Sequence, residues 1–276
     1  MSASVPRSGS PVRASIVLVI GAARGLGLAM ARCWLDRGAE VIATVRDPAS
    51  PGDGLLALRA QHGARLVIED VDVMHEERID ALRDRVAQRL RGRRLDVLLV
   101  NAGMTSLPGR PVDRIATADF NWVMNSNALG PMRAVVRLAP LLSVPASAAG
   151  IATDMPSPAS DRGAVAVMSA DPGTGNGGGG AEIFLASKAA LNALLRGYAA
   201  RQSPAGPAIL ALSPGDCGQG DCGAGPEGTD DPPDAARRAE ALVAAIEARR
   251  ADAAPQEPSA GSRALLIDAD NRIVPW

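Results

Sequence analysis

Apolar residues along this chain fall into short unbroken runs, separated by stretches in which they recur every three or four positions. Ile16–Ile20 (IVLVI) has no polar break, and a run of that kind reads as a strand buried on both faces, because a half-exposed strand would alternate. Glu40–Val45, Ala64–Ile68, Leu95–Val100, Ala164–Met168, Ala208–Leu212 and Ala264–Ile267 also read as strands. Between them lie helical patterns. Leu26–Leu35 is one; Glu76–Arg91 is another, with Ile79, Leu82, Val86 and Leu90 at helical spacing among many charges. Thr117–Leu142 is helix-rich, with Pro131 expected to bend or divide it, and Ser187–Arg201 and Asp234–Arg250 complete the set. Strand and helix in alternation predict an α/β, doubly wound domain: a seven-stranded parallel sheet with helices on both faces.

Three low-complexity stretches, 143–162, 171–180 and 216–233, interrupt the pattern and are expected to be loops; a polar connection follows at 251–262. Residues 1–14 read as a disordered tail ahead of one domain over 15–276. A formal net charge of -1 favours neither nucleic acid nor a membrane surface. No apolar run approaches the roughly 18 residues of a membrane span, and the first 13 residues lack the apolar centre of a secretory signal. The expected location is cytoplasmic. Three cysteines are too few for a disulfide framework, and Cys217 and Cys222, without a companion histidine, do not suggest a metal site.

Candidate chemistry begins where the first strand ends. Gly21, Gly25 and Gly27 follow it directly and lead into a helix, so the backbone of Gly25, Leu26 and Gly27 can approach a phosphate at the helix N-terminus. The second strand ends in Val45-Arg46, where an acidic residue would suit NAD and an arginine suits a 2′-phosphate. With Arg24 inside the turn, this favours NADP(H) over NAD(H). Asp72-Val73 after the third strand places a carboxylate for an adenine amine. Lys188 is the only lysine beside 28 arginines, and Tyr198 the only tyrosine.

These residues, with Asn101-Ala102-Gly103 after the fourth strand, Asn127 in NALGP, FLASKAALNAL from Phe184, and Pro214-Gly215 after the sixth strand, resemble the short-chain dehydrogenase/reductase family. Its C-factor-like branch is similar in ending with a strand and a Pro-Trp tail, here Arg272–Trp276. The resemblance implies a Rossmann-like fold and an oxidoreductase moving hydride between NADP(H) and a carbonyl or alcohol. In that family a Y-x-x-x-K motif supplies a tyrosine as general acid/base and a lysine one turn later that lowers its pKa and binds the nicotinamide ribose. Here those places hold Phe184 and Lys188, and phenylalanine has no proton to give. Tyr198 cannot substitute, since ten helical residues separate it from Lys188 by about 15 Å.

The resemblance further implies that Asn127 holds a proton-relay water. The substrate-orienting serine is Ser169, or its place is taken by Ala170 or Asp171. The loop after Pro214-Gly215 offers Asp216, Cys217 and Gln219 instead of the usual threonine. Impaired or altered acid catalysis follows, with water, Ser169 or Asp171 as alternative donors. A second reading is a non-catalytic dinucleotide-binding sensor or interaction protein, and a third a bare scaffold. The helices at 117–142 and 187–201 resemble the pair through which the family forms homodimers and homotetramers.

Overall fold

A computed structural model describes residues 14–103, 112–143, 162–171, 182–203, 206–215, 233–251 and 264–276. Residues 1–13, most of the three expected loops, and Asp216, Cys217, Gln219 and Cys222 lie outside them. The described chain runs β1 (Ile16–Ile20), α1 (Gly25–Asp36), β2 (Glu40–Val45), α2 (Asp53–His62), β3 (Leu66–Asp70), α3 (Glu76–Leu90) and β4 (Val97–Val100). Then follow α4 (Thr117–Met124), α5 (Gly130–Leu138), β5 (Ala164–Met168), α6 (Glu182–Ala199), β6 (Ala208–Ser213), α7 (Pro233–Ala251), β7 (Ala264–Asp268) and β8 (Ile273–Val274). No described helix is long and apolar enough to cross a membrane.

One eight-stranded sheet carries all of these strands in the order β3-β2-β1-β4-β5-β6-β7-β8. The first seven are parallel, as expected; the eighth, a two-residue strand, pairs antiparallel with β7 through Ile267↔Ile273 and corrects the expected count of seven. Its turn is closed locally, with the Arg272 N–H donating to Asp268 Oδ1 at 2.8 Å. So short an edge carries no periodic signal of its own.

Alternate residues of each strand feed two cores. Val17 and Val19 face α1 and α7, while Ile16, Leu18 and Ile20 face α3, α5 and α6. Continuous apolar runs are therefore required, because neither strand face meets water. On one side Trp34 of α1 donates from Nε1 to Glu247 of α7 at 3.0 Å, joining the two helices across the first core.

Several elements differ from the pattern-based reading. β3 starts at Leu66, not Ala64, because Gly63–Arg65 forms a 3₁₀ turn first. α2 carries too little apolar periodicity to be foreseen: Leu55 and Leu58 are buried, but Leu56 is exposed. The helical stretch from Thr117 is broken by a π-helical segment, Asn125–Leu129, and Pro131 lies in the first turn of the helix beyond it. Pro131 has no N–H to donate to the Asn127 carbonyl four residues back, which fits a wider turn at that place.

Candidate active site

The order of the sheet reverses between β1 and β4, which lie side by side, so the crevice above their C-terminal ends is the place where a parallel sheet binds ligands. The glycine turn there is held from both neighbours. Gly21, at φ +84°, donates its N–H to Thr44 Oγ1 of β2 (3.1 Å) and accepts at its carbonyl from Asn101 Nδ2 beyond β4 (3.0 Å). α1 passes directly over this turn. A Cβ on Gly27 would overlap the Gly21 carbonyl oxygen and stand 2.6 Å from Asn101 Nδ2, so only glycine fits.

The N-terminus of α1 is prepared for an anion. Arg24 precedes it in an extended conformation with no side-chain cap, and the first turn holds no acidic residue. The first N–H groups of a helix have no intrahelical acceptor, so those of Gly25, Leu26 and Gly27 are free to bind phosphate oxygens. Arg24 and Arg46 are both exposed near this crevice, and neither is committed to an ion pair among the described residues. A glycine cradle, uncapped N–H groups and uncommitted guanidinium groups suit a dinucleotide phosphate.

Past β3, Asp72 Oδ1 accepts from the Met74 N–H (2.9 Å), and its other oxygen lies 4.0 Å from His75 Nε2. Val73 is buried beneath Gly130, where a Cβ would stand 3.0 Å from the Val73 carbonyl oxygen. Asn101, Ala102 and Gly103 continue β4 into the crevice, with the Asn101 N–H donating to the Ile20 carbonyl.

Around Gly103 the structure gathers residues from three elements. A Cβ at Gly103 would lie 3.3 Å from Asn127 Oδ1 and 3.4 Å from Lys188 Nζ. Lys188, on α6, is 5% exposed, and its Nζ donates to the Met168 carbonyl at the end of β5 (2.9 Å). Burial, with no neighbouring charge to offset it, pulls the ammonium from its ordinary 10.5 down to about 8. Phe184 lies one turn earlier, its ring centroid 5.7 Å from Nζ.

Asn127 is fully buried in the π-helical segment and donates from Nδ2 to Ser187 Oγ (3.0 Å), which in turn donates to the Phe184 carbonyl (2.6 Å). Ser169 is placed differently. Its hydroxyl, 3% exposed, donates to Asn192 Oδ1 (2.6 Å), and Asn192 Nδ2 reaches the Ala170 carbonyl (3.5 Å). Ala170 and Asp171 are half-buried, and the Asp171 N–H donates to Ser213 Oγ (3.2 Å). Pro214 is buried at the end of β6, and Gly215 turns the chain outward at φ +88°. Tyr198 packs against the core near the other end of α6, where burial raises its phenol pKa.

Three participants escaped the motif reading: Thr44, Ser187 and Asn192. Helical spacing could have found Asn192, since a polar residue four places after Lys188 must share its buried face. Thr44 had no comparable signal, being one polar residue in an apolar strand.

Comparison with known proteins agrees with this geometry. A family model described as short chain dehydrogenase matches residues 15–220. The chain is 30% identical over 205 residues to 1-hydroxy-2-glutathionyl-2-methyl-3-butene dehydrogenase of Rhodococcus sp. (strain AD45), covering 73% of this chain and 77% of that protein. It is also 30% identical over 132 residues to a CLA biosynthesis dehydrogenase/reductase of Lactiplantibacillus plantarum, a match to 46% of this chain and only 43% of that protein. Among solved structures, a carbonyl reductase from Pseudomonas aeruginosa PAO1 in complex with NADP superposes with TM-score 0.74 at 28% identity, covering 96% of this chain and all of the other.

Proposed function

The chain belongs to the short-chain dehydrogenase family, and on that footing we propose that it is an oxidoreductase transferring hydride between NADP(H) and a carbonyl or alcohol, with its acid catalysis altered at position 184. The observation that carries this reading is the convergence of Lys188 and Asn127 on Gly103, beside a glycine turn built for a dinucleotide. The dinucleotide, when bound, supplies the hydride. Gly21, Gly25, Leu26 and Gly27 would cradle its pyrophosphate, and Arg24 and Arg46 would meet a 2′-phosphate. Asp72 and Val73 would border the adenine, Asn101 to Gly103 and Pro214-Gly215 the nicotinamide half, and Lys188 the ribose.

Altered acid catalysis follows from Phe184 standing one turn before Lys188, where the family's tyrosine is expected. The Arg272–Trp276 ending, with β8, supports a place near the C-factor-like branch. Exposed Phe120, Trp122 and Leu194 on α4 and α6 support a homodimer or homotetramer built on those helices. A cytoplasmic location accords with the few cysteines.

NADPH should raise the thermal stability of the protein, by about 2.7 kcal/mol at a hundredfold excess over Kd, and NADH should raise it less. Removing the Arg24 and Arg46 guanidinium groups should erase that difference, since charge-assisted contacts contribute roughly 1.5–3 kcal/mol each. No stabilisation by either nucleotide would sink the proposal. A second reading, a dinucleotide-binding sensor without turnover, is favoured by Phe184 alone. Stabilisation by NADPH without oxidation of it by any aldehyde, ketone or quinone would select it.

A further inference from the structure

The proposed reductase needs a proton as well as a hydride, and the described residues around Gly103 leave few places for it to come from. Phe184 has none. The Ser169 hydroxyl proton is engaged by Asn192, and the Ser187 proton by the Phe184 carbonyl. Asn127 and Asn192 carry amides, which do not titrate. Tyr198 is nearly three turns away along α6. Two titratable groups remain, the Asp171 carboxyl and Lys188, and of these it is Lys188, an ammonium with three protons, one directed at the Met168 carbonyl, whose Nζ borders the same space at Gly103 that Asn127 Oδ1 borders. It also lies over the Phe184 ring, so that a hydroxyl added to that ring would be its neighbour.

We infer that Lys188 is itself the general acid of this protein, passing a proton through one water that takes the place of the missing phenol hydroxyl. The inference rests on the reductase reading and deepens it. In the step, the carbonyl carbon gains hydride from the reduced dinucleotide, and the C=O π pair moves onto oxygen. That oxygen takes a proton from the bridging water as the water takes one from Nζ. Lys188 is left as a neutral amine, which solvent reprotonates. The lowered pKa of the buried ammonium suits this duty, because a general acid works best when it titrates near the working pH. Of the elements packed around it, α6 contributes Ser187 and Asn192, the end of β5 contributes Ser169 and the carboxyl of Asp171, the π-helical segment contributes Asn127, and the end of β4 contributes Asn101. Asp171 is the single charged group among them.

Because Lys188 is the only lysine, labelling the lysine side chain with carbon-13 gives one resonance to titrate in the free protein. Its inflection should fall near 8. Single-turnover oxidation of saturating NADPH by a reactive quinone or ketone should then slow as pH rises, about tenfold per unit above that same inflection. Lys188→Gln should remove the pH limb and slow the step by about 10²–10⁴-fold. Lys188→Arg separates acid from charge: it retains a cation but does not release a proton in the working range, so it should lose the step even at saturating NADPH. Phe184→Tyr should accelerate the step and move the limb.

A limb that survives Lys188→Gln, or disappears instead in Asp171→Asn, overturns the assignment while leaving the reductase standing. So does a lysine resonance that titrates at the ordinary value. Failure of every carbonyl to oxidise NADPH in both wild type and Phe184→Tyr would sink the reductase reading, and the acid with it.

Discussion

Lys188 occupies a position that disfavours its own charge. Its ammonium is desolvated and satisfied by one carbonyl, so its folded pKa lies below that of the unfolded chain. Between about 8 and 10.5 the unfolded state therefore binds more protons than the folded one, and stability rises with pH across that window. Below it the penalty is fully present. Lys188→Met should accordingly stabilise the fold by about 2–3 kcal/mol at pH 7 and lose that advantage above pH 10, as chemical denaturation at the two values would reveal. A destabilised variant at pH 7 would mean that the bond to Met168 outweighs desolvation. Gly27 presents the opposite case, a residue that the site cannot exchange. Gly27→Ala drives a methyl into the Gly21 carbonyl and Asn101. It should destabilise the chain by about 1–3 kcal/mol, typical of overpacking, and abolish stabilisation by NADPH.

α6 is the element that joins the halves of the site. Ser187, Lys188 and Asn192 form a polar strip on its otherwise apolar inner face, with Ile183, Leu191 and Leu195 beside them. Through that strip the helix holds the end of β5 at two carbonyls, Met168 and, more loosely, Ala170, and holds the π-helical segment through Asn127. Asn192→Ala leaves the buried Ser169 hydroxyl without its acceptor, and should lower stability by about 1–3 kcal/mol, measurable by urea denaturation. Much of this framework was legible in the sequence. β1, β2 and β5 have the bounds that their runs suggest, since strands buried on both faces stay largely apolar, Thr44 being the one polar residue buried inside them. α6 begins five residues earlier than its apolar pattern, because Glu182–Ala186 adds few buried contacts to mark it. What could not be read were relations between distant residues: that Thr44 would receive the Gly21 N–H, and that the Ser169 hydroxyl would donate to Asn192. Pairings of that kind depend on where two elements meet, which no local period encodes.

The molecule is also tied at the end of the sheet away from the crevice. Asp96, 1% exposed, accepts from the Ile16 N–H at 2.7 Å and faces Arg250 of α7 at 3.4 Å and Arg94 at 3.7 Å. Arg250 continues to Glu247, the partner of Trp34, and to the Arg162 carbonyl. One carboxylate thus links the starts of β1 and β4 to α7. Asp96→Ala would remove the buried carboxylate shared by Arg250 and Arg94 and the acceptor of the Ile16 N–H, and should destabilise by about 3–5 kcal/mol, seen as a lower melting temperature with the NADPH affinity unchanged. Elsewhere, exposed ion pairs such as Arg93 with Glu40 and Arg137 with Glu76 and Asp80 are built from guanidinium groups. The one lysine is enclosed behind Phe184, which has a practical corollary for anyone handling this protein. Amine-directed reagents, such as succinimidyl dyes and glutaraldehyde, would meet a lysine side chain only 5% exposed while the fold persists. Modification of Lys188 by such a reagent would therefore report unfolding or opening at the site itself, a chemical clock for access to the proposed catalytic amine.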